Sequence, residues 1–269
     1  MEGLWRRVLT AGLLLVGFVA ALFWAPAPLW AALIALAVGL AAHEWARLSQ
    51  FPPSMQKLYA IALGGMALLL PYLPGMDFVS LRNGLLMLAA LFWIAIAPLW
   101  LSLRWRGQRI FLRAALGVVI LLPTWAALLY LRERGPWVLL AVLAVVWVAD
   151  TAAFFAGRQF GHHKLAPRIS PGKTREGVIG AMLALVLYAS AVSAAVVGLR
   201  IVGALVLAMA LLYFAVLGDL FESWIKRVSD MKDSGTLLPG HGGVLDRIDA
   251  LTAALPIAAG VLIVAEHFA

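Results

Sequence analysis

Long apolar runs recur from one end of this chain to the other, and they constrain its fold more than any other feature. A soluble domain of 269 residues has no use for so many. Runs of about 18 or more apolar residues read as transmembrane helices. Inside lipid every backbone N–H and C=O must be paired within the segment, which favours helices. A membrane barrel would show short segments of alternating polarity instead, and these runs are continuous. The expectation is an all-α, polytopic integral membrane protein with no separate soluble domain.

About nine spans (range 8–10) are expected, at residues 8–24, 28–42, 58–74, 84–101, 110–131, 136–156, 176–198, 201–221 and 250–268. Proline and glycine punctuate several joints, as at Pro26, Pro28, Pro52, Pro53, Pro74 and Gly135. The run at 58–74 contains Gly64, Gly65 and Pro71, and the run at 110–131 contains Arg113 and Pro123, which could kink it. Arg6 and Arg7 before the first run, with Ala25-Pro26-Ala27 after it, imitate a secretory signal. The run is longer than a signal core and a second span follows at once, so a retained first helix is expected.

Charge tests the topology. With the N-terminus in the cytoplasm and strict alternation, 17 of the 21 Lys and Arg fall on the cytoplasmic side. Only Arg82, Arg132, Arg134 and Arg200 fall outside. Such asymmetry is what the positive-inside rule predicts. It gives an inner-membrane protein, N-terminus in and C-terminus out. The net charge of +8 is then the cytoplasmic fringe of a membrane protein, and no nucleic-acid partner is expected. Eleven Trp, mostly near span ends, suit an aromatic belt. The absence of Cys excludes disulfides, thiolate metal sites and Cys nucleophiles.

Two long polar connections, 157–175 and 222–249, fall on the same, cytoplasmic side. Only 13% of the chain is charged, yet residues 223–249 carry eight charges, one His and four Gly. Six of the 13 Asp and Glu lie between Asp219 and Asp249. Asp219 ends one span, and Asp246 and Asp249 open another, three residues apart and so on one helical face. A lone Asp here would be an N-cap or a partner for Lys226 or Arg247. Three acids converging from two helix ends, with no soluble domain to solvate them, favour function. Oxygen ligands without His or Cys suit Mg²⁺ or another hard divalent cation. Lys226, Arg227, Lys232 and Arg247 nearby suit phosphate. Metal-holding acids beside phosphate-holding bases suit phosphoryl or nucleotidyl transfer.

Gly240, Gly242 and Gly243 could turn N–H groups toward an anion at a helix start, with His241 bonding a phosphate. In the other connection, "SPGKT" is not a P-loop, because Pro167 stands where the first Gly is required. It still suits an anion site. Ser170 is expected as cap and Pro171 at the first helical position, with Lys173, Thr174, Arg175 and Glu176 opening the next helix. Asp150, inside a span, is a functional candidate or a partner of Arg158. His162-His163 reads as interfacial polarity, and His43, Glu44 and Arg47 as a local polar cluster.

The stretch from Ser223 to Asp249 resembles the signature of bacterial phosphatidate cytidylyltransferases, the CDP-diacylglycerol synthases. Ser223, Lys226, Arg227, Lys232, Asp233, Gly235, Leu238, Pro239, His241, Gly242, Gly243, Asp246, Arg247 and Asp249 stand where that pattern wants them. The "SPGKTREG" and Asp150 segments look like the family's too. In the N-terminal half the match is of length and hydropathy alone. The resemblance implies that CTP and phosphatidic acid react at the bilayer surface to give CDP-diacylglycerol and pyrophosphate. It implies a divalent cation, with a two-metal centre at Asp219 and Asp246 joined by Asp249, and a homodimer. Lys226, Arg227, Lys232, Asp233, His241 and Arg247 would complete the catalytic set. Asp150, Ser170, Lys173, Thr174, Arg175, Glu176, Ser223, Gly242 and Gly243 would bind substrate, with triphosphate and lipid head group not yet apportioned. The active site would lie in 136–269, and 1–135 would supply scaffold and dimer contacts. A transporter or flippase for an anionic lipid or nucleotide is the rival. It fits less well, because transporters place their sites near the midplane. A related lipid phosphotransferase is a second.

Overall fold

The computed structural model describes residues 2–196, 198–235, 237 and 242–268, excepting the side chains of residues 2–11, 14 and 268. Helices run in the order α1 (Glu2–Trp24), α2 (Ala27–Leu48), α3 (Pro53–Leu69), α4 (Phe78–Leu91), α5 (Ala97–Leu103), α6 (Ile110–Arg134), α7 (Pro136–Phe160), α8 (Arg175–Ala195), α9 (Ile201–Val228) and α10 (Leu245–Phe268). Each expected apolar run coincides with one helical rod, α4 and α5 forming a single rod. Seven of these rods, α2 and α4 through α10, have the length and hydropathy to cross a membrane. The other two of the nine expected spans are α1 and the 17-residue α3.

Local sequence explains the irregularities. A π turn, Phe92–Ile96, joins α4 to α5, with the Ala97 N–H bonded to Phe92 O five residues back. Pro98 follows, and it has no N–H to give and no room for the carbonyl of Ile94. A one-residue register slip accommodates both. Pro123 lies inside α6 without ending it. α3 stops at Leu69 and tightens into a 3₁₀ turn around Pro71, at Leu70–Tyr72. Gly64 is where α3 crosses α2: a Cβ there would lie 3.3 Å from the Cα of Gly39. Small residues at such crossings let membrane helices approach closely.

Two corrections concern the polar connections. α7 runs on to Phe160, and a two-stranded antiparallel ribbon follows, β1 (Lys164–Ala166) with β2 (Ser170–Thr174). Ser170 and Pro171 therefore lie in a strand rather than at a helix start. The cap of α8 is Thr174, whose Oγ1 accepts the Gly177 N–H at 3.1 Å. An edge strand tolerates the missing N–H of Pro171. The second connection is shorter than expected, because α9 continues to Val228 and α10 already starts at Leu245. At 28 residues, α9 is about 42 Å long, more than the roughly 30 Å of a hydrocarbon core. Its charged end therefore projects toward the membrane surface.

The core is a continuous apolar cluster drawn from α2, α6, α7, α9 and α10. Trp30, Trp45, Trp93, Trp100 and Trp125 are buried in it, so an interfacial belt does not account for these five Trp. Phe92, Trp93 and Trp100 pack edge-on against Phe221, with centroids 5.3, 5.7 and 5.8 Å away. This anchors α9 between its two acids, Asp219 and Glu222. Arg113 is 1% exposed and has no acid among its described partners. Its guanidinium donates to Gly107 O at 3.1 Å, Leu48 O at 3.0 Å and Ser229 Oγ at 3.1 Å. It thereby ties the ends of α2, α6 and α9 together.

Candidate active site

The last turns of α2, α7 and α9 and the first turns of α8 and α10 meet at one end of the bundle. Gly218 allows α9 to approach α10 closely, since a Cβ there would sit 2.7 Å from Asp249 O and 3.2 Å from the Ala253 Cβ. That crossing sets Asp219 of α9 beside Asp249 of α10.

Five charged side chains form the centre. Lys226 Nζ lies 2.8 Å from Asp246 Oδ1 and 3.1 Å from Glu222 Oε1. Lys173, arriving on β2, lies 2.6 Å from Asp219 Oδ2. Ser223, one turn past Asp219, donates its hydroxyl to Asp219 Oδ1 at 3.2 Å. Glu222 is 4% exposed, and beyond the ion pair with Lys226 neither of its oxygens accepts a hydrogen bond from the described residues. A buried charge of this kind persists only because its partner is buried with it.

Asp246 is engaged differently. It accepts the Ser234 N–H at 3.1 Å on Oδ1 and 2.9 Å on Oδ2, and the Gly243 N–H at 2.8 Å on Oδ2. With Lys226 added, the roughly four lone-pair positions of a carboxylate are all used. The N–H groups around Gly242 and Gly243 were expected to face a substrate anion. Those of Gly243, Val244 and Leu245 face the protein's own carboxylates instead, Asp246 for the first and Glu44 for the other two. Gly242, at φ +84°, makes the left-handed turn that wraps the backbone around Asp246.

Beside this centre a cavity of about 590 Å³ opens between α7, α8 and α9. Its walls are apolar, with Ala149, Phe154, Val178 and Leu212 among them, and Asp150, Arg158, Lys173, Thr174 and Asp219 line it too. Asp150 thus lies within electrostatic reach of Lys173 and Asp219. Glu176 turns toward the ribbon and accepts the His163 N–H at 3.2 Å, with the ring Nδ1 2.6 Å away. Arg227 Nε donates to Ile169 O at 3.3 Å and pins the same ribbon. Arg175, Lys232, Asp233 and Arg247 are exposed beside these elements. Gly240 and His241 lie outside the described residues.

Among the described residues, no three acids or histidines gather tightly enough to enclose a metal ion. Asp219, Asp246 and Asp249 are therefore not a ready-made cage. Mg²⁺ commonly needs only one or two carboxylates and leaves its other positions to water and phosphate. Asp249 bonds the Ala250 N–H through Oδ1 at 2.7 Å. It and Asp219 keep more free acceptor capacity than Asp246, so the donor set fits a hard cation.

One residue that the sequence reading set aside belongs here. Glu44, at the end of α2, is 2% exposed and joins the centre through Ser234, Val244 and Leu245. An acid closing an apolar run was the signal for it.

A polytopic helical bundle with an ion-pair centre and a half-apolar cavity at one end defines a multi-pass membrane protein with an enzyme-like site. The model of the cytidylyltransferase family matches residues 5–265. The phosphatidate cytidylyltransferase of Pseudomonas aeruginosa is 39% identical over 271 residues, covering 96% of this chain and 96% of that protein. That of Haemophilus influenzae is 37% identical over 276 residues, covering 93% and 96%. That of Brucella suis is 38% identical over 226 residues, covering 82% and 80%. The chain belongs to the cytidylyltransferase family.

Proposed function

We infer that the chain is a phosphatidate cytidylyltransferase of phospholipid biosynthesis, converting CTP and phosphatidic acid into CDP-diacylglycerol and pyrophosphate. The observation that carries the reading is the cavity whose apolar walls lead to Lys173 and Asp219, two helical turns from Lys226 on α9. An amphiphile with acyl chains and a phosphate matches both of its parts. The head group of phosphatidic acid is assigned to the Lys173–Arg158 side, and the triphosphate to the side of Lys226, Arg227, Lys232 and Arg247.

The reaction joins a phosphatidate oxygen to the α-phosphorus of CTP and breaks the bond to the β-phosphate. Lys173 exchanges Asp219 for the lipid phosphate as substrate enters. Ser223 keeps Asp219 aimed after that exchange. Lys226, fixed between Glu222 and Asp246, presents a positive charge that needs no reorganisation during the step. Arg227, Lys232 and Arg247 offset charge on the departing pyrophosphate. Asp219 and Asp249 would hold Mg²⁺ or another divalent cation, and Asp246 joins them only by giving up one of its present bonds. Such a cation, when bound, supplies Lewis-acid stabilisation of the phosphate oxygens. The site end of the bundle is assigned to the cytoplasmic face, with N-terminus in and C-terminus out, on the distribution of Lys and Arg. A homodimer is part of the same proposal.

Purified protein in detergent, given phosphatidic acid, Mg²⁺ and α-labelled CTP, should place label in the lipid fraction, and chelator should abolish it. Label that stays out of lipid across several lipids and metals would overturn the reading.

A further inference from the structure

We propose that Glu44 is a positioning residue for the transferase site: a buried anion, supplied by the N-terminal half, around which Ser234 and Gly235 on one side and Gly243, Val244 and Leu245 on the other are packed. The activity readout of this inference rests on the transferase reading above. Its geometry stands apart from it.

Glu44 accepts the Ser234 hydroxyl at 3.1 Å, the Val244 N–H at 3.0 Å and the Leu245 N–H at 2.8 Å. The last two lie at the start of α10, where N–H groups have no partner within the helix. A carboxylate there satisfies them and meets the positive end of the helix dipole. Two glycines of the loop also become intelligible. A Cβ at Gly235 would run into Glu44 Oε1, and one at Gly243 into the bonded pair of Ser234 Oγ and Glu44 Oε2. Neither glycine needs a left-handed backbone, since neither has positive φ. They are small because the carboxylate, with the Ser234 hydroxyl bonded to it at Gly243, occupies that space. Arg47, one turn further along α2, donates to Asp233 O at 3.4 Å and extends the same grip.

The consequence reaches the reacting centre through one residue. Ser234 gives its hydroxyl to Glu44 and its N–H to Asp246, and Asp246 holds Lys226. Glu44 touches none of the groups that would meet substrate. It fixes the loop that aims them.

The test uses full-length protein in detergent and three variants: Glu44→Gln, Gly235→Ala and the double variant. Glu44→Gln removes the charge and sets an amide against N–H donors. Gly235→Ala pushes on the carboxylate from the other side. Each should lower kcat on the order of tenfold or more, as misplacement near a reacting centre does. KM for CTP should stay within about threefold. Hydrogen exchange should quicken at Ser234 and at residues 243–245, with α7 and α8 unchanged. The double variant should be little worse than the worse single one, because both act through one contact. Unchanged exchange at 243–245 in Glu44→Gln would overturn the proposal, as would normal kcat in that variant or additive losses in the double. If Glu44→Gln does not fold, Ser234→Ala takes its place. It removes one bond to Glu44, and it should quicken exchange at 243–245 and lower kcat, or the idea fails. Should wild-type protein make no CDP-lipid, the transferase reading falls, and the exchange measurements still decide the clamp.

Discussion

The two ends of this bundle handle charge in opposite ways. At the site end, carboxylates are buried and wrapped by backbone N–H groups and lysines. At the far end, Arg134 lies 2.5 Å from Glu266 with both side chains over 40% exposed. The guanidiniums of Arg82 and Arg134 lie over the Tyr130 ring at 4.6 and 4.9 Å. The far end has ion pairs that water can replace. The site end has charges that only the fold can hold. A protein keeps the second kind where it needs a fixed field.

That contrast can be broken at several depths. The largest loss is expected from Asp219→Asn, which should cut kcat on the order of 10²–10³-fold by removing a carboxylate that would hold the divalent cation. Steady-state CDP-lipid formation checks it, and near-normal turnover with normal metal dependence would remove Asp219 from the site. Lys226→Met should come next. It strands Glu222 and Asp246 without a counter-charge, at a cost of about 3–5 kcal/mol, and thermal unfolding in detergent would read it. Gly218→Val should cost about 1–3 kcal/mol by forcing α9 away from α10, with turnover falling alongside stability. Glu266→Gln, at the far end, should cost less than about 1 kcal/mol and leave kcat unchanged. A large effect of Glu266→Gln on turnover would mean that the two ends are coupled and the comparison is false.

How much of this was legible in the sequence depends on how far apart the interacting residues lie. Apolar length located every helical rod, because the bilayer imposes a local rule that each run obeys alone. Asp219, Lys226, Asp246 and Asp249 were legible from their density in a greasy chain. Helix ends were not: α9 keeps its helical pattern through Glu222 and Lys226, whose charges pair within the site instead of ending the helix. The ribbon 164–174 was missed because "SPGKT" carries both cap and strand chemistry, and His163 O, taken by the Arg175 N–H at 2.9 Å, tips the balance. The pairing of Lys173 with Asp219 and the role of Glu44 were beyond local reading. Nothing near Glu44 in the chain shows which donors it serves. The glycines at 235 and 243 were visible, but the carboxylate they make room for was not.

Glu44 also sets a problem of timing. Its partners lie 190 to 201 residues further along the chain. At roughly 5–20 residues per second of synthesis, α2 enters the membrane some 10–40 seconds before they exist. Leu48 O waits almost as long for the Ser229 hydroxyl, 181 residues away. During that interval the N-terminal half carries a carboxylate with its lasting partners still unmade. A nascent chain stopped after α8 would still be an unfinished substrate for the insertion machinery, however well its first helices had entered the bilayer.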